Sequence, residues 1–167
     1  THDLITALSF LRRNDIVTLI IGGGPEESRL KKMVEQYHLT NQVVFFGNLP
    51  FEEAISILKT AHIVVNPSYT EGLPTSVTES ALCHKAILAT NVGGTSEVIS
   101  GENDGFLIPP RQPKLIAEKL ALLIGDPELR ATLAQNAFER VRNKFNWNYS
   151  ADQYLAIFSK LLNNKKG

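Results

Sequence analysis

The residues of this chain best suited to chemistry are Glu71 and Glu79, in the stretch "TEGLPTSVTES" at 70–80. Two carboxylates this close in sequence could form an acid/base pair, punctuate a helix, or hold two ends of one ligand. An acid/base pair of the glycosidase kind needs carboxyl groups ~5–10 Å apart across a scissile bond. Here a helix start is expected between them instead. Ser76-Val77-Thr78-Glu79 fits a capping box, with Ser76 capping the helix and Glu79 bonding back to the Ser76 amide.

A helix start also presents free amides and the positive end of a dipole, which suits a phosphate. Gly72 lets the backbone come close to such a group, and Pro74 stiffens the entry. A phosphate there would repel both carboxylates, so Glu71 and Glu79 are expected to reach sideways to hydroxyl groups on either side of it. That arrangement matches a nucleoside diphosphate sugar, with its sugar and its ribose flanking the diphosphate.

Two more glycine turns follow strand-like runs. "GGGP" at 22–25 fails as a dinucleotide fingerprint, because Glu27 stands where a third glycine is needed and Gly47 and Asn48 stand where an acidic residue is expected. It reads as a tight turn or as backbone that touches a ligand. "GGTSE" at 93–97 is a glycine turn with Thr95 or Ser96 as the expected cap. Other chemistries lack their residues. The four histidines have no metal spacing, and neither an Asp-x-Asp, a G-x-S-x-G elbow nor a Gly-Lys-Ser/Thr loop occurs. Cys83, the single cysteine, is expected as a small buried apolar side chain.

The elements that must carry these loops alternate regularly. Strand-like runs lie at 16–24, 43–47, 62–68, 86–90 and 105–110, with helical stripes between them, one of them from about Ser76 to His84. Leu4, Leu8 and Leu11 form a first helical stripe, so the chain reads as an excised piece that begins inside an element. Beyond residue 110 the pattern is helical, over about 113–125, 127–143 and 149–163, with Asp126-Pro127 as cap and first turn. Strands joined by single helices must be parallel and covered on both faces. The expectation is one doubly wound, Rossmann-like α/β domain over 1–167, with ligands outside the carboxyl ends of the strands. Acidic and basic residues balance at 17 each, which argues against a generic nucleic-acid binder. No apolar run approaches the roughly 20 residues of a membrane-spanning helix.

"NPSYTEGLPTSVTESALCHKAILATNVGGTSEVISGENDGFLIPP", together with "LIIGGGPEE" and "VVFFGNLP", resembles the C-terminal half of family 4 (group 1) glycosyltransferases with the GT-B fold. The E-x7-E of that family corresponds to Glu71 and Glu79. The resemblance implies a retaining, metal-independent transferase that uses a UDP- or GDP-type sugar donor and no cofactor. It implies that Glu71 contacts the donor sugar near the reaction centre and that Glu79 holds the ribose diol. Backbone from Gly72 through Leu73 and Pro74 to Thr75 would take the diphosphate. Gly23, Gly24 and Gly47 would lie near the donor, with the 46–49 segment near the base.

The same resemblance implies an N-terminal acceptor domain outside this chain, which would bind a glycan, lipid-linked or small-molecule acceptor. It also implies phosphate-neutralising Arg and Lys residues after a strand that precedes Thr1. The isolated chain is therefore expected to be inactive. A role in polysaccharide biosynthesis and a cytoplasmic location follow from the likeness, with room for peripheral membrane association. A nucleotide-sugar 2-epimerase half and a non-catalytic nucleotide-sugar-binding module are the alternatives. His84 departs from the family, which commonly has glycine there. The final stripe of Tyr154, Leu155, Phe158, Leu161 and Leu162 is expected to pack on its own domain or, as in the family, to cross to the other.

Overall fold

The structure, a computed structural model, describes residues 1–101 and 103–163. The elements follow in the order α1 (His2–Leu11), β1 (Thr18–Ile21), α2 (Glu27–Gln36), β2 (Val43–Gly47), α3 (Phe51–Thr60), β3 (Ile63–Asn66) and α4 (Thr75–Leu82). Then come β4 (Ala86–Thr90), α5 (Thr95–Val98), β5 (Phe106–Ile108), α6 (Pro113–Gly125), α7 (Pro127–Lys144) and α8 (Trp147–Asn163). Every strand pair is parallel, as the alternation predicts.

β4 shows why the fold has two helical layers. Successive side chains of a strand point to opposite faces. Ala86 and Leu88 enter a core shared with α1, α2 and α6, while Ile87 and Ala89 enter a second core with α4, α5 and α7. All five β4 residues are buried. Leu4, Ile5, Ala7 and Leu8 of α1 and Ile116, Leu120 and Leu123 of α6 dominate the first core, and α1 packs along α6. Residues of α7 reach both cores, Leu133 on one side and Ala137 and Val141 on the other.

The strands do not form the single sheet expected. They divide into a β1–β2 pair and a β3–β4–β5 sheet, and no described hydrogen-bonded ladder joins β1 to β3. Burial on both faces is therefore restricted to β4. β1 and β2 alternate between half-buried or buried and exposed, and β3 is half-buried throughout. Helix α3 buries none of its residues.

Local signals mostly hold. The Asp126 carboxylate accepts from the Leu129 amide at 2.9 Å, with Pro127 in the first turn of α7, while Arg130 donates to the last carbonyls of α6 at Leu123 and Ile124. α4 ends in a Schellman motif, with Lys85 N–H donating to Ser80 O and His84 N–H to Ala81 O. That motif puts His84 at φ 53°, a left-handed conformation glycine adopts more easily. The His84 ring stacks on Phe138 of α7 with centroids 3.8 Å apart. The stack offsets part of the strain of the non-glycine residue. Cys83, expected in the core, is only half-buried, because it caps the end of α4 rather than lying in its packed face. The α8 stripe does not pack on the domain: Tyr154, Leu155, Phe158, Leu161 and Leu162 are all exposed. None of the described helices is long and apolar enough to cross a membrane.

Leu123 and its neighbour Leu122 test this layering, because one is fully buried and the other 46% exposed. Leu123→Ala is expected to lower unfolding free energy in urea by about 2–5 kcal/mol. Leu122→Ala should cost well under half of that. Equal losses would contradict the packing of α6.

Candidate functional site

The carboxyl ends of β3 and β4 bring together most of the residues singled out in the sequence. The chain leaves β3 at Asn66, runs through Ser68, Tyr69 and Glu71, and enters α4 at Thr75. Pro74 is the N-cap and makes no side-chain capping bond, so the expected capping box is absent. The helix starts two residues earlier than the box requires, with Pro74 rather than Ser76 at the cap position. Ser76 is thus already inside it, and its Oγ accepts from Asn66 Nδ2 at 3.1 Å. Among the described residues the Glu79 carboxylate makes no hydrogen bond or ion pair. Helical side chains lean toward the helix N-terminus, and positions four apart share a face. Glu79 therefore sits over Thr75, on the same face as the start of α4.

Glu71 is half-buried, and its Oε1 accepts a long contact of 3.4 Å from Asn66 Nδ2. Asn66 also accepts from Ser68 Oγ at 2.7 Å, and the buried Thr90 hydroxyl at the end of β4 donates to Ser68 O at 2.5 Å. Gly72, Leu73 and Thr75 are exposed between the two glutamates, whereas Pro74 is buried beneath them.

The "GGTSE" turn determines where this loop can lie. Gly94 N–H donates to Gly72 O at 2.6 Å. A Cβ on Gly93 would collide with the Glu71 carbonyl, and one on Gly94 would come within 2.7 Å of Gly72 O. Gly93 also has φ 53°. These two glycines are required for backbone-to-backbone contact with the Glu71 loop. Thr95 is not the expected cap. It is the first residue of α5, is buried, and its hydroxyl donates to Val92 O at 2.7 Å, while Gly94 takes the cap position without a side-chain bond.

A second cluster lies at the ends of β1 and β2. Gly22 N–H donates to Gly47 O at 2.8 Å, and Gly23 N–H donates to Asn48 Oδ1 at 2.8 Å. The Gly23 amide is thus already engaged, while a Cβ on Gly24 would meet nothing within 4 Å. Gly23, Gly24 and Gly47 do come together, but no hydrogen bond among the described residues links them to the Glu71 loop.

Asp3 and Arg111, which no motif in the sequence singled out, lie against Tyr69. Its hydroxyl donates to the buried Asp3 of α1 at 2.8 Å. The Arg111 guanidinium lies 5.3 Å from the Tyr69 ring centroid. The Tyr69 pKa is raised above 10, chiefly by the bond to Asp3, then by burial and the charge of Asp3, against the opposing charges of Arg111 and Arg29. The Arg111 guanidinium therefore lies within electrostatic reach of the loop, whereas that of Arg29 is paired with Glu26 at 3.0 Å. Neither belongs to a motif, which is why spacing did not find them. The site itself is an open ledge. Cavities of about 280 and 220 Å³ lie at the amino ends of the strands, near Gln42 and near His84, away from both glutamates. Among the described residues no group of three His, Cys, Asp or Glu is placed to hold a metal ion.

Two variants probe this geometry. Tyr69→Phe removes a bond to a charged acceptor, and half-exposure of the ring reduces the expected cost to about 1 kcal/mol. A phenol whose folded pKa is raised contributes fully below its unfolded value of about 10 and loses that contribution as pH rises through the folded value. The stability gap between wild type and Tyr69→Phe should therefore be constant near neutral pH and close above pH 10; a gap that widens there would contradict the Asp3 contact. Gly93→Ala should destabilise by roughly 2 kcal/mol or more, since it combines left-handed strain with a backbone collision. Urea midpoints equal to wild type would mean that the turn does not press on the Glu71 carbonyl.

The sequence model of a family described as "Glycosyl transferases group 1" matches residues 1–140. An uncharacterized glycosyltransferase of Methanocaldococcus jannaschii, MJ1069, is 34% identical over 90% of this chain and 38% of its own length. The crystal structure of the C-terminal domain of a group 1 glycosyl transferase, LpcC of Francisella tularensis, superposes with a TM-score of 0.80 at 29% identity, covering 87% of this chain and 78% of that one. HepE of Anabaena, solved in complex with UDP-glucose, superposes at 0.83 over 96% of this chain and 45% of that one, and at 24% identity it bears on the fold alone. The chain spans 38% of the length of MJ1069 and 30% and 36% of two further curated relatives. By the family match over residues 1–140, the chain belongs to the group 1 glycosyl transferases.

Proposed function

We propose that this chain is the donor-binding half of a retaining, metal-independent glycosyltransferase that uses a UDP- or GDP-type sugar donor. The acceptor, a glycan, a lipid-linked saccharide or a small molecule, is held by a part of the protein outside this chain. One observation carries the reading: the start of α4 lies between Glu71 and Glu79, on a loop fixed by Gly93 and Gly94. As the bond from sugar to phosphate breaks, negative charge builds on the diphosphate. The free amides at the start of α4 stabilise that charge without reorganising. Arg111 adds positive potential near the loop.

In this reading Glu71 orients hydroxyls of the donor sugar and Glu79 accepts hydrogen bonds from the ribose. Gly23, Gly24 and Gly47 line the nucleoside side, and backbone from Gly72 to Thr75 receives the diphosphate. No cofactor takes part. The reaction would serve polysaccharide biosynthesis in the cytoplasm, with peripheral membrane association where the acceptor is lipid-linked. The chain alone lacks the acceptor site and transfers sugar negligibly.

Titration of UDP-, GDP- and ADP-sugars and of the free nucleotides against the full-length protein tests these roles. Glu79→Ala should weaken free nucleotide and sugar nucleotide alike, by roughly tenfold to a hundredfold, the equivalent of about 1.5–3 kcal/mol. Glu71→Ala should remove only the extra affinity that the sugar contributes. Gly72→Ala should leave stability unchanged, because its Cβ meets nothing within 4 Å, yet reduce diphosphate affinity. If Glu79→Ala lowers stability and leaves affinity intact, the ribose role is wrong. Release of free nucleotide diphosphate with an epimerised sugar, in the absence of acceptor, would favour the 2-epimerase instead.

A further inference from the structure

Arg111 stands apart from the other arginines of this chain. Arg13, Arg29 and Arg140 pair with Asp15, Glu26 and Asp104, and Arg130 donates to the last carbonyls of α6. Arg12 caps the carboxyl end of α1 and Arg142 lies in the last turn of α7, positions that favour a cation. Arg111 has neither kind of support. Among the described residues it makes no ion pair or hydrogen bond, and it lies two residues before Pro113, at the end of α6 that disfavours positive charge. Its backbone is left-handed, with φ 61°, a conformation that strains any residue with a Cβ.

The surroundings nevertheless hold this side chain in place. β5 runs parallel to β4, so the turn after Ile108 emerges on the same side of the sheet as the Glu71 loop. Asn91 N–H donates to Ile108 O at 2.8 Å, tying the end of β5 to the turn that carries Gly93 and Gly94. The guanidinium lies over the Tyr69 ring, whose hydroxyl is bonded to the buried Asp3. Contact through the ring face leaves guanidinium N–H donors available, and their fork matches a carboxylate. An exposed cation–π contact is modest support for a cation held in a strained and electrostatically unfavourable position. An anion supplied by a ligand would complete it.

We infer that Arg111 determines donor specificity by binding a carboxylate on the transferred sugar, so that the donor is a nucleotide-linked uronic acid. The inference rests on the donor-site reading above, and the order of residues along the loop selects the place of the carboxylate. In that reading the ribose belongs at Glu79, the diphosphate between Gly72 and Thr75, and the sugar at Glu71. Tyr69 lies two residues beyond Glu71, a span of at most ~7 Å, comparable with one sugar ring and its substituents. Arg111, over the Tyr69 ring, thus stands past the sugar and away from the diphosphate. A neutral sugar leaves the guanidinium unpaired there. A sugar acid beside Glu71 needs a cation to offset the repulsion between the two carboxylates, and Arg111 supplies it.

The test titrates the full-length protein by calorimetry with UDP, UDP-glucose and UDP-glucuronic acid, and with GDP, GDP-mannose and GDP-mannuronic acid. For the base that binds, the sugar acid should bind about tenfold more tightly than its neutral counterpart, the lower end for a charge-assisted bond because the pair is exposed. Arg111→Gly suits the left-handed turn, so it should fold as wild type and lose that preference, with the acid weakened far more than the neutral sugar or the free nucleotide. Arg111→Lys should keep a smaller preference, because it retains the charge without the fork. Equal or weaker binding of the sugar acid by wild type would overturn the inference and leave the donor site standing. So would an equal loss of all three ligands in Arg111→Gly, which would assign the guanidinium to the diphosphate, or a preference for the acid that survives in that variant. If no nucleotide or sugar nucleotide binds, the donor-site reading itself fails and this inference with it.

Discussion

The contact between the turn after β4 and the loop after β3 governs the rest of the site. Gly94 donates to Gly72 O, and Gly93 passes the Glu71 carbonyl too closely for any side chain. Two backbones can meet this way only where both Cβ positions are empty. The result is a loop with little freedom of its own, although it is exposed and carries polar residues. Its anchors are the strand ends: Asn66 ties Ser68 and Ser76, and Thr90 ties Ser68 from the adjacent strand. The rigidity of β4, buried on both faces, is thereby passed to the two glutamates.

Much of this was legible in the sequence because it depends on local signals. Alternating apolar runs and helical stripes give α/β with parallel strands, and the five strand-like runs all contain the observed strands. Glu71, the glycine turn and Glu79 could be placed at a helix start from their spacing. The cap was misread because a Ser three residues before a Glu resembles a box wherever it occurs. Pro74, two residues before that Ser, stiffens the entry and lets the helix begin at Thr75.

Features that depend on distant parts of the chain were not legible. Tyr69 and Asp3 are 66 residues apart, and no local pattern links one to the other. Arg111 reaches Tyr69 only because β5 lies beside β4. The interruption of the sheet was invisible for the same reason. Periodicity reports that a run will be a strand, but not which edge of which strand it will meet. The apolar runs of β1 and β3 read as buried, yet β1 alternates between half-buried and exposed and β3 is half-buried throughout, a property of the sheet and not of the run.

Both ends of α4 are fastened, which bears on how the site can move. Its start is fixed by the glycine turn, and its far end is held by the His84–Phe138 stack on α7. A glycine in place of His84 would relax the backbone but free that end. With the ring pair in place, both ends of the helix are tied to neighbouring elements, the start through the loop before it and the far end through α7. In the proposed reading, Glu71 and Glu79 meet a ligand as a fixed template rather than as part of a moving flap. His84 thus trades backbone ease for a firm hold on the far end of the helix that carries Glu79.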